Sequence, residues 1–207
     1  MLTSYNRIAG HSVERLAALS DGVFAIAMTL LVLDLRVPTT DAIRDEGDLW
    51  RALVAMSPRF VMFVMSVMTL GIFWVGQQTQ LNHLRRSDRD LTWIHISFLA
   101  VVSLIPFSTG LLGQYPRYRA ALLVYWINLL LLGATLYWSW VCALGTRLVK
   151  EDLSPEISRA MKRRIAGSQS LYAAAALLCV IDPRLSIAGI VLLQLNYALA
   201  PRMSRKL

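Results

Sequence analysis

Six apolar blocks, at 22–33, 60–75, 91–113, 120–146, 171–181 and 185–200, fill most of a 207-residue chain and are parted only by short polar joints. Few folds accept that arrangement. A helix crossing the hydrocarbon core of a bilayer needs about 20 residues, fewer where flanking side chains snorkel. Backbone polar groups in lipid must also be satisfied within the segment, which favours helices. The blocks therefore predict an all-α integral membrane protein, one six-helix unit over 1–207, with spans near 16–35, 53–77, 91–113, 119–146, 165–181 and 185–201. The fifth block is short and must borrow residues from 165–170 to cross. Charged residues make up only 16% of the chain, against about 25% in soluble domains, so no separate soluble domain is expected.

The net charge of +8 raises the question of nucleic acid, but its placement answers it. With the N-terminus inside, fourteen of the 21 Lys and Arg residues fall in inner segments and seven in outer ones, the bias expected of cytoplasmic loops. Both termini are then cytoplasmic and no nucleic-acid partner is expected. The joint 81–90 is an inner turn. The longer inner joint 146–164 holds Ser154-Pro155-Glu156, a helix start with proline in its first turn, and a basic face suited to the membrane surface. No cleavable leader is visible, since no small-residue cleavage site follows the first apolar run. Cys142 and Cys179 sit inside spans as small packing residues, and neither a metal-ligand set nor a cofactor motif appears.

The first block, SDGVFAIAMTLLVLDL at 20–35, is the least ordinary. Asp21 lies at its inner end, where a charge facing lipid costs about 2.5–3.5 kcal/mol. At about 100° per residue, Gly22, Thr29, Leu30 and Leu33 all fall within about 60° of Ile26, whereas Asp21 lies about 140° away. One face stacks branched apolar side chains with a threonine among them. The other carries an acid that must find partners inside the protein. The stripe alone is also what ordinary helix packing produces; Asp21 is the stronger sign of function.

Arg15-Leu-Ala-Ala-Leu19-Ser20-Asp21, followed by GVFAIAMTLLVLDLRVP, resembles the first-helix signature of the transmembrane protein 175 family of potassium channels. The likeness continues through FWVGQQTQLNHLRRSDRDLTWIHISFLAVVSLIPFSTGLLGQYP (73–116) and covers the first 116 residues. The resemblance implies a homotetramer with no re-entrant pore loop and a pore lined by four copies of the first helix. It implies a constriction at Ile26 with further layers at Leu30 and Leu33, and a K⁺ preference at Thr29. K⁺ would be the permeating ion, with no cofactor. Asp34 would gather cations at the outer mouth, and equally fits a plain solvated acid at a helix end. Arg15, Ser20 and Asp21 would tie the helix to the second and third, with Gln77, Gln78, His83 and His95 as candidate partners. Two positions depart from the pattern: Leu19 replaces a phenylalanine, and Gln77-Gln78 replaces a pair of histidines, which removes titratable groups.

Rival readings differ in class. A proton-dominated or weakly selective cation leak fits the same apolar neck. An intramembrane enzyme built on Ser20, Asp21 and His95 lacks any fixed nucleophile–base spacing, so no catalytic residue is assigned. A secondary transporter would show two related halves or helices broken at the midplane, and the only proline deep in a span is Pro106. A single unit without an organelle address points to a multi-pass protein of a prokaryotic plasma membrane.

Overall fold

The computed structural model describes residues 12–39 and 43–199. The leader through His11, residues 40–42, and the chain from 200 onward, with the end of the sixth expected span, lie outside the described residues. Eight α-helices account for nearly all of the described chain: α1 Val13–Leu30, α2 Glu46–Ala55, α3 Ser57–Asn82, α4 Arg89–Ser103, α5 Ile105–Gln114, α6 Arg119–Gly145, α7 Pro155–Leu177 and α8 Pro183–Leu199. Short 3₁₀ turns extend α1 over Leu31–Asp34 and α7 over Leu178–Val180. Among the described residues, four segments are long and apolar enough to cross a membrane: Val13–Asp34, Ser57–Asn82, Arg89–Gln114 and Arg119–Gly145. They overlap the first four expected spans. The helices at the last two expected spans differ in kind. α7 carries Arg159, Lys162, Arg163 and Arg164 in its first half, and α8 is described over only 17 residues.

Local chemistry explains the boundaries. Asp45 caps α2 by accepting from the Asp48 N–H at 2.7 Å, with Glu46 and Asp48 in the first turn against the helix dipole. The expected first outer loop (36–52) thus contains the start of a short helix. Pro58 in the first turn of α3 cannot continue α2, and the two meet at Met56. Pro106 breaks the third span the same way, at Leu104 between α4 and α5. Ser154 accepts from the Ile157 N–H at 3.2 Å and starts α7, which runs without interruption from the inner joint into the fifth apolar block.

The helices pack as a bundle in which α6 touches α4, α5 and α7, α7 touches α8, and α3 lies against α5 and α8. α1 rests on α3 and α4. In a bilayer, association of such helices rests on close packing and interhelical hydrogen bonds, because lipid is as apolar as leucine. One core runs through the bundle and includes Phe24, Phe98, Leu122, Tyr125 and Ile190. Polar ties cross it: Thr69 meets the Tyr125 hydroxyl at 2.9 Å, and the Gln194 amide donates to the Thr69 hydroxyl at 2.6 Å. The 81–90 and 146–154 joints lie at the same end. They are stitched by Arg85 N–H to Leu148 carbonyl and Lys150 N–H to His83 carbonyl, both 2.9 Å, and by an Arg85–Glu151 ion pair.

Gly133 of α6 sits tight against the Gln169 side chain of α7. A Cβ there would collide with the Gln169 amide, which donates across to the Leu129 carbonyl at 3.3 Å. Gly133→Val should force α6 and α7 apart and lower stability by about 1–3 kcal/mol, the usual effect of overpacking. Thermal unfolding of the purified protein checks this; an unchanged midpoint would contradict it.

Candidate functional site

α1 is built from two dissimilar faces. Its start is fixed by Ser12, whose hydroxyl accepts from the Arg15 N–H at 3.2 Å. From there Leu16, Ser20, Phe24, Ala27 and Leu31 follow one another at spacings of three or four residues and are buried against the bundle. Phe24 meets Phe98 of α4 with ring centroids 6.0 Å apart. The opposite face is bare. Ile26 is 61% exposed, Leu33 67% and Leu30 42%, and Gly22, Ala25 and Thr29 lie open beside them. The expected stripe of Ile26, Thr29, Leu30 and Leu33 is therefore one continuous uncovered surface of the single chain.

Thr29 sits on it in a defined state. Its hydroxyl donates to the Ile26 carbonyl at 2.8 Å. The proton is committed to the helix backbone, and the oxygen lone pairs are left as acceptors. At 31–34 the helix tightens, so each residue turns through about 120° rather than about 100°. Leu33 stays outward, whereas the Asp34 carboxylate lies against Gly110 of α5, its oxygens 2.8 and 3.0 Å from where a Cβ would stand. Asp34 shares a cleft of about 180 Å³ with Arg36, Arg59 and Gln114.

The N-terminal half of α1 is bonded into the bundle by a buried chain of polar groups. Ser20 spends its proton on the Leu16 carbonyl at 2.8 Å, so its 2.8 Å contact with Gln77 is donated by the Gln77 amide. That fixes the amide orientation. The same nitrogen lies 3.3 Å from His95 Nδ1, and His95 Nε2 lies 3.2 Å from the Ser139 hydroxyl. The tautomer that serves both contacts has Nδ1 accepting and Nε2 donating. Ser20, Gln77, His95 and Ser139, from α1, α3, α4 and α6, are each at most 5% exposed. Beside this chain, Asp21 Oδ1 accepts from the Trp74 indole and from the Gln78 amide, both at 2.8 Å. Hydrogen bonds to a carboxylate are about twice as strong as neutral ones.

Of the four candidate partners, Gln77 and His95 join Ser20, and Gln78 takes Asp21. His83 does not take part: it bonds the Thr79 carbonyl and sets its ring edge-on to Trp140. Arg15 lies exposed at the N-terminal end of α1, with no side-chain partner among the described residues. Sequence reasoning missed Trp74 and Ser139. Trp74 stands one turn before Gln78 and so shares its face, a signal available in FWVGQQ; Ser139 carries none. Among the described residues, no three His, Cys, Asp or Glu side chains gather as a metal-binding group.

A family model described as the endosomal/lysosomal potassium channel TMEM175 matches residues 15–106. A protein of Chamaesiphon minutus named a potassium channel is 30% identical over 189 residues, covering 89% of this chain and 93% of that one. A Streptomyces collinus protein of the same description is 42% identical over 103 residues, 50% of this chain and 48% of that one. The human endosomal/lysosomal proton channel TMEM175 is 34% identical over 114 residues, which spans 51% of this chain but 23% of the human one. The crystal structure of a lysosomal potassium-selective channel TMEM175 homolog from Chamaesiphon minutus superposes with a TM-score of 0.80 at 28% identity, over 91% of this chain and 97% of that chain. These neighbours are ion channels, not enzymes. With a likeness that runs nearly the whole length of both chains, and a first helix anchored on one face and bare on the other, this multi-pass membrane protein belongs to the TMEM175 channel family.

Proposed function

We propose that the chain is one subunit of a homotetrameric, potassium-permeable cation channel of a prokaryotic plasma membrane. Each subunit crosses the bilayer six times with both termini in the cytoplasm, and four copies of α1 line the pore. The observation that carries this reading is the bare face of α1. Its apolar side chains are uncovered while the opposite face is hydrogen-bonded to α3 and packed against α4. Four Ile26 side chains form a narrow apolar neck that gates by dewetting, with Leu30 and Leu33 as further layers toward the outside. Thr29 supplies the preference. Its outward oxygen replaces part of the hydration shell, which K⁺ sheds more readily than Na⁺. Asp34 adds negative charge near the outer mouth, offset by Arg36 and Arg59 in its cleft. Ser20 and Asp21 act structurally by holding the inner end of α1 to α3, whereas Arg15, grouped with them by the resemblance, has no side-chain partner among the described residues. No cofactor takes part, and K⁺ is the permeating ion.

A second reading, a proton-dominated or weakly selective leak, is favoured by the human relative's name as a proton channel. Gln77-Gln78, where relatives carry titratable histidines, argues for the potassium reading. Reversal potentials of purified protein in planar bilayers decide between them. Under opposed K⁺ and Na⁺ gradients the potential should follow K⁺, and Thr29→Ala should move it toward zero. A potential that follows the pH gradient, and ignores K⁺, would overturn the potassium reading.

A further inference from the structure

A groove of about 450 Å³ opens between α3 and α7, away from the bare face of α1. Its deep end is apolar, lined by Ile72 and Phe73 of α3 and closed behind by Leu136 of α6. Gly76 keeps the floor open: a Cβ there would already touch the Leu136 side chain at 3.5 Å. The other end is polar. It lies at the level of the stitched 81–90 and 146–154 joints and presents His83, Gln80 and Arg164. From His83 to Ile72 the groove follows about 16 Å of helix, at about 1.5 Å per residue.

Two features at the polar end call for a ligand. Gln80 is 3% exposed and pinned by its amide nitrogen, which donates to the Leu136 carbonyl at 3.1 Å, yet its Oε1 has no partner. A buried acceptor left unsatisfied costs about 1–3 kcal/mol. Arg164 is the last basic residue before α7 turns apolar, and its guanidinium is exposed with no partner among the described residues. An anionic group beside an apolar trough answers both, and basic pockets between membrane helices are where such headgroups bind.

We propose that this groove holds an anionic phospholipid of the leaflet on the joint side. Its phosphate pairs with Arg164, a headgroup hydroxyl reaches the Gln80 carbonyl oxygen, and one acyl chain lies along Ile72, Phe73 and Gly76. The site is separate from the pore and stands whether or not the chain conducts. Native mass spectrometry of the purified assembled protein, titrated with phosphatidylglycerol and with phosphatidylcholine, tests it. Phosphatidylglycerol should be retained in preference. Arg164→Ala, and Ala160→Trp, which fills the groove from α7, should each weaken retention by about five- to tenfold. Arg163→Ala removes the same charge outside the groove and should leave it within about twofold. Free glycerol phosphate should not displace the lipid. Unchanged retention in the Arg164 variant, an equal loss in the Arg163 variant, or displacement by glycerol phosphate would each overturn the proposal. So would an absence of retained lipid with assembly lost in Ala160→Trp, which would give the groove to a neighbouring copy of the chain.

Discussion

Ile26→Asn should carry several times the current of the wild-type protein at equal protein load in planar bilayers. In the proposed tetramer a ring of four isoleucines would exclude water from the neck, and an ion crossing it would lose hydration with nothing in return. Asparagine is smaller and offers an amide to water and to the ion. A tenfold rise would correspond to about 1.4 kcal/mol taken off the crossing barrier. The substitution should cost little stability, because Ile26 is 61% exposed in its own subunit. Leu192→Ala is the control: Leu192 is equally bare, at 67%, but lies on α8. It should leave the current unchanged. Equal currents from Ile26→Asn and wild type, in protein that assembles normally, would remove Ile26 from the constriction.

Gln77→Leu should have the largest effect on stability. One amide nitrogen serves both Ser20 and His95, so its loss strands two buried acceptors at once. At about 1–3 kcal/mol for each unsatisfied group, the expected loss is about 2–6 kcal/mol, which is enough to lower the yield of assembled protein. Gln78→Leu should do less. Asp21 keeps its bond from the Trp74 indole, and its residue is open to water. Thermal unfolding of the two variants side by side gives the order. A Gln77→Leu protein as stable as wild type would show that the buried chain is not what holds α1.

Much of this arrangement is legible in the sequence, for reasons particular to each element. The first four spans are long apolar runs ended by charges or prolines. The stripe on α1 needs only the helical period. Ser154-Pro155 marks the start of α7, and Pro106 the break in the third span. Other features depend on partners far along the chain. Trp74 reaches Asp21 across 53 residues and Ser139 reaches His95 across 44, and no local pattern encodes either pairing. The position of Asp34 escapes a wheel drawn at one pitch, because the chain tightens into a 3₁₀ turn just before it. The acids of 43–48 read as loop, yet Asp45 uses them to start α2. The helix start at Ser154 and the fifth apolar block read as two pieces, a surface joint and a span, yet lysine and arginine are good helix formers with long apolar stems, so one helix, α7, runs through both.

The central claim is that the bare face of α1 meets water in a pore. It is tested most directly by Ile26→Cys in a background with Cys142→Ala and Cys179→Ala, exposed to a charged, membrane-impermeant thiol reagent while current is recorded. The account predicts rapid loss of current in this variant, and none in the background protein or with Leu192→Cys in the same background. A conducting Ile26→Cys protein whose current the reagent leaves untouched, although mass spectrometry shows the thiol fully modified, would contradict it.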